Sequence, residues 1–125
     1  MKRIVLFLGF LSASTLCLSA AEGEDANHEI IEKVMKQGMK GETSLHAKVV
    51  AGTATPEETK SLADLLTTLT GTKAPVGEQT DYEKKIAALV AGIGAIQGGD
   101  KSPAAVAAYK EAGNCKSCHT AHKPK

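Results

Sequence analysis

The sequence predicts an all-α fold, an antiparallel bundle of four helices. Three observations carry this reading. Apolar residues recur at helical spacing in four stretches of the chain. No run of β-branched residues alternates with polar ones for long enough to make a strand, and no internal repeat is visible. The four stretches are separated by short segments rich in Gly and Pro, and short connections make neighbouring helices antiparallel.

The first helix is expected from about Ala26 to Lys40, with Ile30, Ile31, Val34, Met35 and Met39 near one face. Asp25 or Asn27 can cap it, and Glu29 and Glu32 suit the positive end of its dipole. A turn at Gly41–Ser44 interrupts it before Leu45 to Val50 resume, and Gly52 closes the segment. The second helix has Thr55 as cap, Pro56 at the first helical position and Glu57 and Glu58 in the first turn. Its stripe of Leu62, Leu65, Leu66 and Leu69 faces a core, and Gly71 to Gln79 is a loop.

The third helix starts near Thr80-Asp81, carries Ile86, Leu89, Val90, Ile93 and Ile96, and stops at Gly98-Gly99. Gly92 and Gly94 inside it each cost about 1 kcal/mol against Ala. Their missing side chains suit either close helix packing or the edge of a flat cofactor. The fourth opens with Ser102 as cap and Pro103 at the first position. Val106, Tyr109, Ala112, Cys115, Cys118 and His119 then follow along one face of a single helix that Pro124 and the chain end stop.

The N-terminus has the form of a secretory signal. Met1-Lys2-Arg3 is basic, Ile4 to Leu11 is almost wholly apolar, and Ser19-Ala20-Ala21 offers small residues for cleavage, expected after Ala21 or Ala20. The apolar run is too short for a permanent membrane span. Cys17 follows Leu16, where a lipidation signal wants a small residue, so it is expected to leave with the signal. The chain thus divides into a signal peptide, residues 1–21, and one exported, periplasmic domain, residues 22–125. Removing residues 1–21 from 125 leaves 104, with 13 basic residues against 14 acidic ones. No basic stripe points to nucleic acid, and no later segment could span a membrane. With Tyr82 and Tyr109 as its two aromatics, this domain has a modest core.

Cys115-Lys116-Ser117-Cys118-His119 is a C-x-x-C-H, the attachment pattern of haem c. The chemistry requires that spacing: each thiol adds to a vinyl group to form a thioether, and the adjoining imidazole ligates iron. Positions i, i+3 and i+4 share one helix face, so all three groups meet the same side of a flat macrocycle. The haem would also supply apolar surface that Phe and Trp usually provide. Cys115, Cys118, His119 and His122 could alternatively be read as a zinc set, but one helix cannot easily wrap four ligands tetrahedrally. A thioredoxin-like role lacks the surrounding βαβ pattern. No acid, base and nucleophile stand together, so no enzymatic activity is expected.

With the motif on the last helix of a bundle, the chain resembles the class II c-type cytochromes, the cytochrome c′ family. Asn114-Cys115-Lys116-Ser117-Cys118-His119-Thr120-Ala121-His122-Lys123 is similar to that family's terminal stretch, and Gly52 to the end of its first helix. The resemblance implies one covalent haem c, His119 as axial iron ligand and Lys123 as a charge on the proximal side. It implies redox partner proteins, and it is compatible with a homodimer. The chain is shorter than typical members, and Lys33 and Lys36 are the basic residues nearest to where the first helix of the family commonly carries an arginine.

The sixth iron position lies on helix one in that family, filled by an apolar residue in five-coordinate gas-binding members and by Met in low-spin ones. Counting back from Gly52 brings Met35 closest to it, with Met39 one turn later on the same face. A thioether opposite His gives a six-coordinate haem of raised potential suited to electron transfer. Both methionines are also good core fillers. His28 and His46 are expected at the surface. Electron transfer is the expected function, with five-coordinate binding of NO or CO as the alternative.

Overall fold

The structure, a computed structural model, describes residues 20–125. The expected signal peptide lies outside the described residues except for Ala20 and Ala21, and Cys17 lies outside them altogether. Every regular element among the described residues is helical. These are α1 (Ala20–Val34), which runs on into a π-helical turn (Met35–Met39), then α2 (Leu45–Ala51), α3 (Pro56–Thr67), α4 (Gln79–Gln97), α5 (Pro103–Ala112) and α6 (Cys115–His122). No described helix is long and apolar enough to cross a membrane.

α1 begins at Ala20, earlier than the capping residues Asp25 and Asn27 suggest. Asn27 instead uses its side-chain oxygen to accept from the Lys73 amide, 3.3 Å away. At the other end, the Lys40 amide donates to the Met35 carbonyl at 2.8 Å, the five-residue reach of a π turn. The chain then bends at Gly41, whose φ of +101° suits a residue without a side chain. The Ser44 hydroxyl caps α2 by accepting from the Ala47 amide, and Gly52 ends it in the left-handed conformation.

α3 opens with the capping box that Thr55, Pro56 and Glu58 announce: the Thr55 hydroxyl accepts from the Glu58 amide, and the Glu58 carboxylate from the Thr55 amide. Glu58 also pairs with Lys48, which ties α2 to α3. α5 starts at Ser102 and Pro103 as expected. It does not continue into the motif. Asn114 caps a new helix, its side-chain oxygen accepting from the Lys116 and Ser117 amides at 3.1 and 3.2 Å. Capping by Asn overrides the continuous apolar stripe here. Gly113 makes the break possible beneath α2, since a Cβ on it would lie 2.6 Å from the His46 ring.

α4 is the central element, packed against α3 on one side and α5 on the other. Tyr109, Leu62, Leu66, Ile93 and Val34 are fully buried, and Ile86, Leu89 and Ile96 join them. Each such side chain stabilises the fold by about 1.5–3 kcal/mol relative to exposure. The two helical glycines of α4 separate clearly. A Cβ on Gly92 would stand 3.1 Å from the Tyr109 Cα, so Gly92 is there for close packing of α4 on α5. Nothing lies within 4 Å of a Cβ on Gly94. Gly94→Ala should therefore stabilise the protein by about 0.5–1 kcal/mol, while Gly92→Ala should destabilise it, because backbone cannot give way as a side-chain tip can. Thermal unfolding of the two variants checks this, and a Gly94→Ala variant no more stable than the parent would contradict it.

Candidate functional site

The C-x-x-C-H forms the first turn and a half of α6. Cys115 is exposed and Cys118 half-buried, and both are free thiols. The Cys115 thiol points back to the Gly113 carbonyl, 3.8 Å from its sulfur. Burial pushes the Cys118 thiol up, an effect that nearby Asp81 and Cys115 reinforce and Lys85 opposes. A nucleophilic redox cysteine needs the opposite shift, toward the thiolate. The free pair is thus set up as two neutral thiols on one helix turn rather than as an activated dithiol.

These residues border a cleft. Its walls are Leu69 just after α3, Ile86 and Leu89 of α4 and Ala112 at the end of α5, with Cys115, Cys118 and His119 along one margin. Met35 and Met39 of the π turn line the same cleft, and Lys85 stands on it as its basic residue. Fold topology does this. The bend at residues 40–44 lets the end of α1 pass α3, where a Cβ on Gly38 would already meet Leu62 at 3.1 Å. The break at Gly113-Asn114 presents α6 to α4. The cleft itself encloses about 50 Å³, and a neighbouring pocket of about 280 Å³ shares its Leu69 and Ile86 wall.

Four of the five residues that the sequence nominates for a cofactor or for iron beyond doubt of chain position (Cys115, Cys118, His119 and Met35) therefore share one cleft, and the fifth, Met39, joins them. Lys123 does not. It is exposed just past the end of α6, where its amide donates to the His119 carbonyl at 3.2 Å. His28 is exposed on α1, as expected.

Two histidines depart from their expected surface roles. His46 is half-buried, and burial pulls its ring down toward the neutral form. The Tyr109 hydroxyl, itself pushed well up by burial, donates to its Nδ1 at 2.7 Å. His122 is more deeply enclosed, at 3% exposure. Its Nδ1 donates to the Val76 carbonyl and its Nε2 meets the Asp81 carboxylate, each at 3.0 Å. Asp81 is held well below the usual carboxylate range, first by the hydrogen bond from Lys85 and next by that from His122. Neither arrangement has a local sequence signal, because the partners lie 63 and 41 residues away along the chain. No His, Cys, Asp and Glu grouping of three or more among the described residues is disposed to hold a free metal ion.

The donor chemistry suits haem c: two free thiols and an imidazole on one helix turn, thioethers on another element of the same cleft, and apolar side chains between. No family model, curated protein or solved structure matches the chain.

Proposed function

We propose that this protein is a periplasmic monohaem c-type cytochrome of the cytochrome c′ type that carries electrons between redox partner proteins and has no enzymatic turnover. The observation that carries this reading is the shared cleft, in which Met35 and Met39 join Cys115, Cys118 and His119. In this reading α1 and α2 form one broken arm of an antiparallel four-helix bundle. α3 and α4 are the second and third arms, and α5 with α6 is the fourth.

Cys115 and Cys118 would hold the haem as thioethers, His119 would ligate its iron, and a methionine of the π turn would approach the sixth position. Bound there, haem supplies a one-electron couple of the iron. Leu69, Ile86, Leu89 and Ala112 would cover the macrocycle and keep water from it. Parting Leu69 and Ile86 joins the cleft to the pocket beyond, which brings the space to the lower end of the ~300–1,000 Å³ usual for ligand sites. Lys123 adds positive charge beyond the end of α6. The leader sequence supports export to the compartment where such haem is attached.

Protein purified from the periplasm of an expression host should carry one haem that acid-acetone extraction does not remove. Intact mass should equal a chain cleaved near Ala21 plus one haem. A cleaved chain with two free thiols and no haem mass would overturn the proposal.

A further inference from the structure

α6 is eight residues long and meets the rest of the fold chiefly through α4. Among the described residues, both hydrogen bonds that tie its side chains to other helices or loops belong to His122. The ring is pinned at both ends, by the Val76 carbonyl and by Asp81, and it stands edge-on to Tyr82 with centroids 5.3 Å apart. Asp81 is itself fixed, its Oδ2 accepting from Lys85 at 2.8 Å, and Lys85 lines the cleft. The loop carrying Val76 comes very close. A Cβ on Gly77 would fall 2.5 Å from the Ala121 carbonyl and 3.0 Å from the His122 Nδ1, and the φ of +84° there also favours glycine.

We propose that His122 is the positioning residue of the site. Clamped between Val76 and Asp81, it sets the rotation of α6 about its own axis and thereby where His119 stands over the cleft. Each residue of an α-helix is about 100° of rotation, and His119 is less than one turn from His122, so slack in the clamp passes to the imidazole almost undiminished. Lys85 links the clamp to the cleft margin by holding Asp81 in place. The clamp is a property of the polypeptide; its effect on iron rests on the cytochrome reading above.

The test compares the full-length exported protein with its His122→Phe and Asp81→Ala variants, and with Asp81→Asn as the conservative replacement. Phe keeps an aromatic ring of similar size in the buried site but has neither hydrogen bond. Hydrogen exchange should show amides of α6 losing protection about tenfold or more in His122→Phe and Asp81→Ala, while α4 amides near Leu89 and Ile93 hold. Asp81→Asn, which keeps an acceptor for Nε2, should restore most of that protection. The midpoint potential of the haem-loaded protein should shift in both disruptive variants and return toward the parent value in Asp81→Asn. Wild-type α6 protection together with an unchanged potential in His122→Phe would overturn the proposal. So would an Asp81→Ala variant that behaves like the parent, should the Phe variant fail to fold. If no haem is attached in any of the proteins, the cytochrome reading fails, and the exchange comparison alone decides the clamp.

Discussion

Met35→Leu should convert the haem-loaded protein from low-spin to high-spin. The reduced form should lose its sharp α-band, the oxidised form its weak sulfur-to-iron charge-transfer band, and CO should bind readily at the opened position. The reason is chemical: leucine fills nearly the volume of methionine but has no sulfur lone pair. A swap of this kind in a half-buried position usually costs under about 1.5 kcal/mol, so the spectrum reports ligation and not collapse of the cleft. Met39→Leu should leave the spectrum almost unchanged. Since both residues line the cleft, the reverse pattern would assign the ligand to Met39. A parent protein that is already high-spin and CO-reactive would favour gas binding over electron transfer. A low-spin spectrum that survives both substitutions would direct the search to His28, because His46 is engaged by Tyr109.

The second large effect is expected from Cys115→Ala combined with Cys118→Ala. All covalent haem should be lost, and far-UV helicity and thermal stability should fall with it. Without a macrocycle the apolar surface of Leu69, Ile86, Leu89 and Ala112 faces a cleft open to solvent. Full burial of one such side chain is worth about 1.5–3 kcal/mol, while a whole domain is stable by only ~5–15 kcal/mol. Loss of two or three of these contributions should lower the melting temperature by ten degrees or more. Ser117→Ala, an exposed change between the two cysteines, serves as the control and should alter neither property. Undiminished helicity and melting temperature in the double variant would show that the polypeptide reaches its fold without the cofactor.

Helix starts and stops were legible wherever the determinant is local. Thr55, Pro56 and Glu58 form their box, Ser102 and Pro103 open α5, and Gly52 closes α2 as the sequence indicates. All of these act within one turn of chain. The break at Gly113-Asn114 was equally local but was masked by the apolar stripe running through it, a case of periodicity outvoting a cap. The motif of Cys115, Cys118 and His119 was legible by spacing. Its neighbourhood with Met35 and Met39 was legible only through the family resemblance, because no local rule brings residues 35 and 115 together. His46 and His122 were opaque for the same reason. A histidine is surface-like in sequence until its distant partner, Tyr109 or Asp81, is known.

The π turn at Met35–Met39 has a consequence for how such a site can be altered. A turn that closes five residues apart, not four, holds one residue more than an α-helix needs. Deleting the exposed Gln37 would let the turn relax to α geometry and rotate α1 by about 100° against everything that follows. Ile30, Ile31 and the fully buried Val34 would leave their present contacts, yet no atom of the C-x-x-C-H would have been touched. The two banks of the cleft are thus tuned by different kinds of genetic change. Point substitutions govern the cysteine side, whereas a single-codon insertion or deletion in the first arm decides which side chain confronts it.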